Sequence, residues 1–387
     1  MARTLDGKTV VGRTLSQGHL LRMVGTMRLV LGLVALLGAI VFLEGTSWDI
    51  QWHTFLGRDR TLIPPHILML SGVAISGVSG LVAVVLESVW ARRDAQVARA
   101  STSFASVFSG SLGAYVVGFA ALDAAVAFPL DAYWHALYGI DVAIWAPFHV
   151  MFVVGMGVVA LGSAYMLASA ANLAAGIRSR RAARIGVMIA LATVLAIFTL
   201  LLFDSLTVQR SLNLGFAYFN FFPLLAGLLT AFVLVAAAYA LPWRWSATAV
   251  AGVYLLLGAV MAVYVQPATD WLVGVERLTY RRAHPLTSAV ALEWFMGPLL
   301  TAILIDLVMR RATRKQWSSG KQALFLTLAC AISMFPIMTL RPAFFVLVLA
   351  VLGVTGSLIS FVPGLLVTYI GTRLGRNIGE SISNLER

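Results

Sequence analysis

WDIQWHTFLGRDRTLIPPHILMLSGVAISGVSGLVAVVLESVW, residues 48–90, holds the two features that organise this chain. From Ile67 to Leu86 it runs for 20 residues without a charged side chain. As a helix those residues rise about 30 Å, the thickness of a bilayer's hydrocarbon layer. The preceding stretch, 48–66, has the opposite character, with two aspartates, two arginines and two histidines in 19 residues. A dense polar stretch therefore leads directly into a membrane span.

The whole chain repeats the apolar half of this pattern. Of its 387 residues 60% are apolar and only 11% charged, and the mean hydropathy is +0.90. Soluble domains carry about 25% charged residues, so the expected fold is all-α, a polytopic helix bundle with the lipid bilayer as its solvent. Ten apolar stretches are long enough to cross, near 27–46, 66–88, 105–128, 145–173, 184–205, 214–241, 246–266, 286–309, 322–340 and 343–371. The last contains Gly353, Gly356 and Pro363 and is expected as one kinked helix or a broken pair.

Charge sets the expected orientation. Twenty-one of the 28 basic residues fall in the N-terminal segment, the tail and alternate loops, including Arg92, Arg93, Arg178, Arg180, Arg310 and Arg311. The positive-inside rule then puts both termini in the cytoplasm with an even number of spans. It also accounts for the net charge of +12 without a nucleic-acid partner. Residues 1–24 read as a polar cytoplasmic segment, not a cleaved signal, with a short interfacial helix around Leu15–Met23. The single cysteine, Cys330, allows neither a disulfide framework nor a cysteine metal site.

The polar stretch occurs twice. DAYWHALYGIDVAIWAPFH, residues 131–149, matches 48–66 at a constant offset of 82. Asp49 pairs with Asp131, Trp52-His53 with Trp134-His135, Gly57 with Gly139, Asp59 with Asp141, and Pro65 with Pro147; His66 and His149 slip by one. Each copy lies between an odd-numbered span and the next. The first four spans therefore read as two parallel two-helix repeats, about 27–90 and 105–175, within a unit 25–175; a six-span bundle, 176–372, and a tail, 373–387, follow.

Asp and His four residues apart share one face of a helix. A glycine turn and a proline-started helix then bring back the second histidine. Two imidazoles and a carboxylate with open positions suit copper, iron or zinc. The candidate ligands are Asp49, His53 and His66, and Asp131, His135 and His149. Asp59 and Asp141 are expected to orient an imidazole or add a ligand. The copies can each hold an ion or converge on one dinuclear centre. The alternative is a structural polar cluster at the membrane edge, where tryptophan and tyrosine collect in any case.

Asp49-x3-His53-x12-His66 resembles the membrane metal site in the C subunit of the particulate methane and ammonia monooxygenases. The resemblance implies copper held by Asp49, His53 and His66 near the outer face and, through the repeat, by Asp131, His135 and His149. It implies oxygen insertion into a small apolar substrate. It covers about 20 residues, and the duplication departs from that family.

Other polar residues add candidates. Glu293 lies two turns into the eighth apolar stretch and Asp204 at the outer end of the fifth; each is a candidate ligand or proton relay. The segment 267–285, with Asp270, Arg281 and His284, is expected either to cover the site or dock a partner, or to lie as a solvated interfacial helix with internal ion pairs. Glu87 and Asp306 are expected to reach water beside Arg92 and Arg310. Small residues four apart, Gly72/Ser76/Gly80 and Ala160/Ala164/Ala168, read as packing seams. Phosphate-loop, dinucleotide, nucleophile-elbow and HExxH patterns are all missing. The best reading is an oxygen-activating oxidase or monooxygenase, or a subunit of one, with further membrane subunits or a second copy as partners. A transporter or metal-handling protein, and a non-catalytic subunit, are the alternatives.

Overall fold

The computed structural model describes residues 6–57, 62–139, 143–202, 205, 211–294, 297–335 and 342–386. Side chains are described from residue 19 onward, except those of 292–293, 342–348 and 386. The elements follow in order: α1 (Asp6–Phe55), α2 (Pro64–Ala91), α3 (Ala95–Arg99), an antiparallel hairpin of β1 (Thr102–Phe104) and β2 (Phe108–Gly110), α4 (Leu112–Tyr138), α5 (Pro147–Asn172), α6 (Ile177–Thr199), and a two-residue ladder of β3 (Leu212–Asn213) and β4 (Tyr218–Phe219). Then come α7 (Phe222–Ala240), α8 (Ser246–Val275), α9 (Ala289–Glu293), α10 (Gly297–Lys315), α11 (Ser319–Cys330) and α12 (Pro342–Glu386).

Among the described residues eight helices are long and apolar enough to cross a membrane: α1 from His19, α2, α4, α5, α6 with the turn after it, α7, α8, and α12 from Leu349. The chain is thus an all-α helix bundle of the multi-pass membrane type. Several boundaries differ from the sequence reading. No separate interfacial helix precedes the first span, because α1 runs unbroken from Asp6. The seventh span continues through Pro267 to Val275. The described residues of the stretch 286–309 include α9 and the start of α10, and those of 322–340 include α11 and a 3-10 turn at Ala331–Met334. The last run is broken at Gly353, whose φ of 63° leaves the helical region.

Small residues set the closest contacts. A methyl group added at Gly72 would strike the Phe42 backbone nitrogen at 2.6 Å, so α1 and α2 touch backbone to backbone. Ser76 Oγ donates across that seam to the Ala35 carbonyl at 3.0 Å, and Ser79 Oγ to Leu31 at 2.6 Å. The second predicted seam is buried too: Ala160, Ala164 and Ala168 are at most 1% exposed.

Two charges find distant partners in place of the nearby ones expected. Glu87 pairs with Arg28 of α1, not Arg92. Arg28 Nε donates to Oε2 at 3.0 Å, its Nη2 reaches Oε1, and a further bond runs to the Ala100 carbonyl at 2.8 Å. Both side chains are buried. Asp306 does not run out to water. It caps the first turn of α8, accepting from the backbone of Ala247 at 3.2 Å and Thr248 at 2.9 Å, and from the Thr248 hydroxyl at 2.7 Å.

Candidate metal centres

Each polar copy is built the same way. Asp49 and His53 occupy the last turns of α1, and Asp131 and His135 those of α4. A glycine with positive φ ends each helix, Gly57 at 61° and Gly139 at 84°. A loop follows, and a proline opens the next helix: Pro64 for α2 and Pro147 for α5. His66 and His149 are both the third residue of their helices. This corrects the sequence alignment, since the structural counterpart of Pro147 is Pro64, not Pro65. The extra residue of the second copy lies in the loop and leaves the histidine's helical position unchanged.

The aspartate is the hub of each trio. Asp49 Oδ1 lies 3.3 Å from His53 Nε2 and 3.0 Å from His66 Nε2. Asp131 Oδ1 lies 3.9 Å from His135 Nε2 and 3.3 Å from His149 Nε2. In both trios the imidazole centroids are 5.8 Å apart. Each set offers three ligand atoms within 4.8 Å of one another. Both Oδ1 atoms are buried. His149 Nδ1 lies 2.8 Å from the Ala143 carbonyl. A carbonyl only accepts, so Nδ1 carries a proton, and in the neutral imidazole the Nε2 lone pair faces Asp131. That is the tautomer a metal requires.

The trios border a common space. A cavity of about 40 Å3 is lined by Asp49 and His53 of the first, by His149 of the second, and by Thr46, Met69 and Phe152. It is little larger than one water's share of the liquid, about 30 Å3. Phe128 of α4 lies edge-on to His66 at 6.0 Å and to Phe152, one of the lining residues, at 6.4 Å.

The trios differ in cover. His53 and His66 are 5% and 12% exposed, His135 and His149 11% and 20%. The C-terminal half packs against the end of α1 that carries the first trio. The segment after α8 crosses the end of α1, where the Arg281 amide donates to the Phe55 carbonyl at 2.9 Å. Gln51 bonds Gln266 of α8 and accepts from the Ala289 amide at 2.7 Å. Gln266 in turn reaches Asp270, which also accepts from the Tyr280 hydroxyl at 2.6 Å and lies 2.8 Å from His284 Nε2. Burial and this carboxylate push the Tyr280 hydroxyl up to about 12.

Asp59, Asp141 and Asp204 lie outside the described residues, as does the side chain of Glu293. Sequence reasoning passed over Glu44, one turn before Trp48 on α1. Both its carboxyl oxygens are buried and take no hydrogen bond among the described residues. The signal that singled out Glu293, a carboxylate inside an apolar stretch, applies equally to Glu44.

The turn glycines give a graded prediction. Gly57→Ala meets both an unfavourable φ and the Arg281 guanidinium, 2.8 Å from the new methyl group. Gly139→Ala meets only the φ, because nothing lies within 4 Å. Gly139, at φ 84° and ψ 174°, lies in a region that is essentially glycine's alone, so Gly139→Ala should cost about 1–3 kcal/mol; Gly57→Ala should cost more if the Arg281 contact adds to its own strain, both read as thermal midpoints in detergent. Equal losses would show that the Arg281 contact carries no weight.

Compared with family models, curated proteins and solved structures, the chain matches none of them.

Proposed function

We propose that this chain is an integral membrane metalloprotein. Asp49, His53 and His66 hold one metal ion, and Asp131, His135 and His149 a second. The observation that carries the reading is the hub geometry, made twice: a buried carboxylate oxygen with two imidazole nitrogens 3.0–3.9 Å away. Lone pairs gathered so closely in a poorly hydrated place repel unless a cation or a proton lies among them. The N2O donor set suits copper first, with iron or zinc as alternatives.

The activity we assign is that of an oxygen-activating oxidase or monooxygenase, or a subunit of one, acting on an apolar substrate. The resemblance of Asp49-x3-His53-x12-His66 to the copper membrane monooxygenases supports this, as do the apolar walls of the shared cavity. A redox metal there supplies the electron-transfer chemistry that oxygen activation needs. The protein's own contribution is to fix the imidazoles through helix position, to hold His149 in one tautomer through Ala143, and to exclude water with Phe128, Phe152 and Met69.

Ten crossings, with α10 and α11 completing the eight apolar helices, put both termini in the cytoplasm and both trios near the outer face. The basic loops support that orientation. Asp123 is exposed halfway along the apolar α4. A lipid-facing carboxylate is costly, which supports another membrane subunit, or a second copy, packed on that face.

Elemental analysis of the detergent-purified protein tests the reading. Two ions per chain are expected after loading with copper or iron, and a chelator should strip the more exposed Asp131 trio first. Protein that retains no transition metal after exposure to copper, iron and zinc in turn sinks the proposal.

A further inference from the structure

Between α2 and α4 lies a slot of about 570 Å3, lined by Val73, Gly77, Leu81, Gly118, Leu122 and Ala125 among other apolar residues. Its size falls within the range of about 300–1,000 Å3 found for small-molecule sites. We propose that this slot holds the single alkyl chain of a membrane-dissolved substrate, with the chain's tip pointed at the metal trios. The assignment deepens the metalloenzyme reading and rests on it for its catalytic meaning. Occupancy of the slot stands or falls by itself.

Three observations carry it. First, the floor is kept open by the absence of a side chain. A methyl group built on Gly118 meets nothing within 4 Å, whereas one on Gly80, directly across, would meet the Gly118 backbone nitrogen at 3.0 Å. The two backbones are nearly in contact there, yet Gly118 itself faces empty space.

Second, the slot is bounded. At one end stand Phe104 and Phe108 of the β1–β2 hairpin, with Phe104 packed 5.7 Å from both Tyr115 and Phe119. From Ala114 to Ala125 along α4 is about 16 Å, given 1.5 Å per residue. A slot with aromatic stops suits one extended chain better than the paired chains and glycerol of a phospholipid.

Third, the far end leads to the metal centres. One turn beyond Val73 on α2 is Met69, which lines the cavity between the trios. One turn beyond Ala125 on α4 is Phe128, whose ring stands edge-on to His66. A thioether and an aromatic ring thus stand one turn beyond the slot, on the side of the trios. The opening toward the bilayer also fits a hydrocarbon that partitions into lipid, where it is concentrated by about 0.8 kcal/mol per methylene.

The test uses the full chain in lipid nanodiscs and an alkyl probe bearing a terminal diazirine, with adducts mapped by mass spectrometry. Labelling should concentrate on Leu122, Ala125 and Phe128, and excess unlabelled alkane should compete it away. Gly118→Leu should cut it about tenfold, equivalent to about 1.4 kcal/mol, while bound metal stays unchanged. Should Gly118→Leu fail to fold, Gly118→Ala serves, with a smaller cut in the same direction. Labelling spread evenly over other lipid-facing positions such as Val263 and Val354, or unchanged by either substitution, overturns the proposal. So does equal capture of a phospholipid with the diazirine at its chain end, which would make the slot a site for bulk lipid. Selective labelling in protein that binds no metal keeps the slot occupied and removes the metal reading instead.

Discussion

On the proposed reading, His53→Ala should take one of the two metal ions from the loaded protein while the helices stay in place. His53 is one of the three donors in the Asp49 trio and the most buried of the six candidate ligand side chains. Loss of a partner that merely supports a ligand lowers metal affinity about 10–100-fold, so loss of a ligand should exceed about 100-fold. The fold should tolerate the change, because alanine is a good helix former and the end of α1 is held by Gly57 and by the Arg281–Phe55 bond. His135→Ala should do the same to the second trio, and the double substitution should leave no metal. Elemental analysis, with electron paramagnetic resonance of the copper-loaded protein, reads the outcome. A His53→Ala protein that keeps both ions and an unchanged spectrum would dissolve the first trio as a metal site.

The second large effect concerns stability. Arg28→Ala should destabilise the protein by about 3–5 kcal/mol, because it strands Glu87 as a buried, unpaired carboxylate. Arg28→Lys should rescue poorly. A lysine supplies one point charge where the guanidinium meets both Glu87 oxygens and the Ala100 carbonyl. Replacing both Arg28 and Glu87 by methionine should recover most of the loss, since a pair of matched apolar groups is often no worse than a buried ion pair. Thermal unfolding of these three variants beside the wild type in one detergent checks this order. An Arg28→Ala midpoint equal to wild type would mean that the pair carries no net stability.

The membrane character and the two trios were readable from the sequence because both rest on local periodicity. Apolar runs of sufficient length announce helices, and the i, i+4 spacing of Asp49 with His53 fixes a shared face whatever surrounds it. The rest depended on tertiary contacts. Glu87 has Arg92 close by in sequence, yet its partner is 59 residues away on a neighbouring helix. Asp306 has Arg310 one turn on, yet it caps a helix start 58 residues upstream. The lone Glu44 was readable and missed, since the apolar run around it hid a single carboxylate. The clasp of Gln51 with Gln266 had no local signal, because either glutamine alone is an ordinary polar residue.

The one-residue offset between the copies has a wider consequence. His66 and His149 owe their positions to the proline heading their own helix, not to the number of residues since the preceding histidine. The connecting loops are therefore free to lengthen or shorten over evolutionary time while the ligand set is preserved. Chains of this design would be recognised by a proline two places ahead of a histidine at a helix start, paired with Asp-x3-His at the end of the helix before it, across a spacer of variable length.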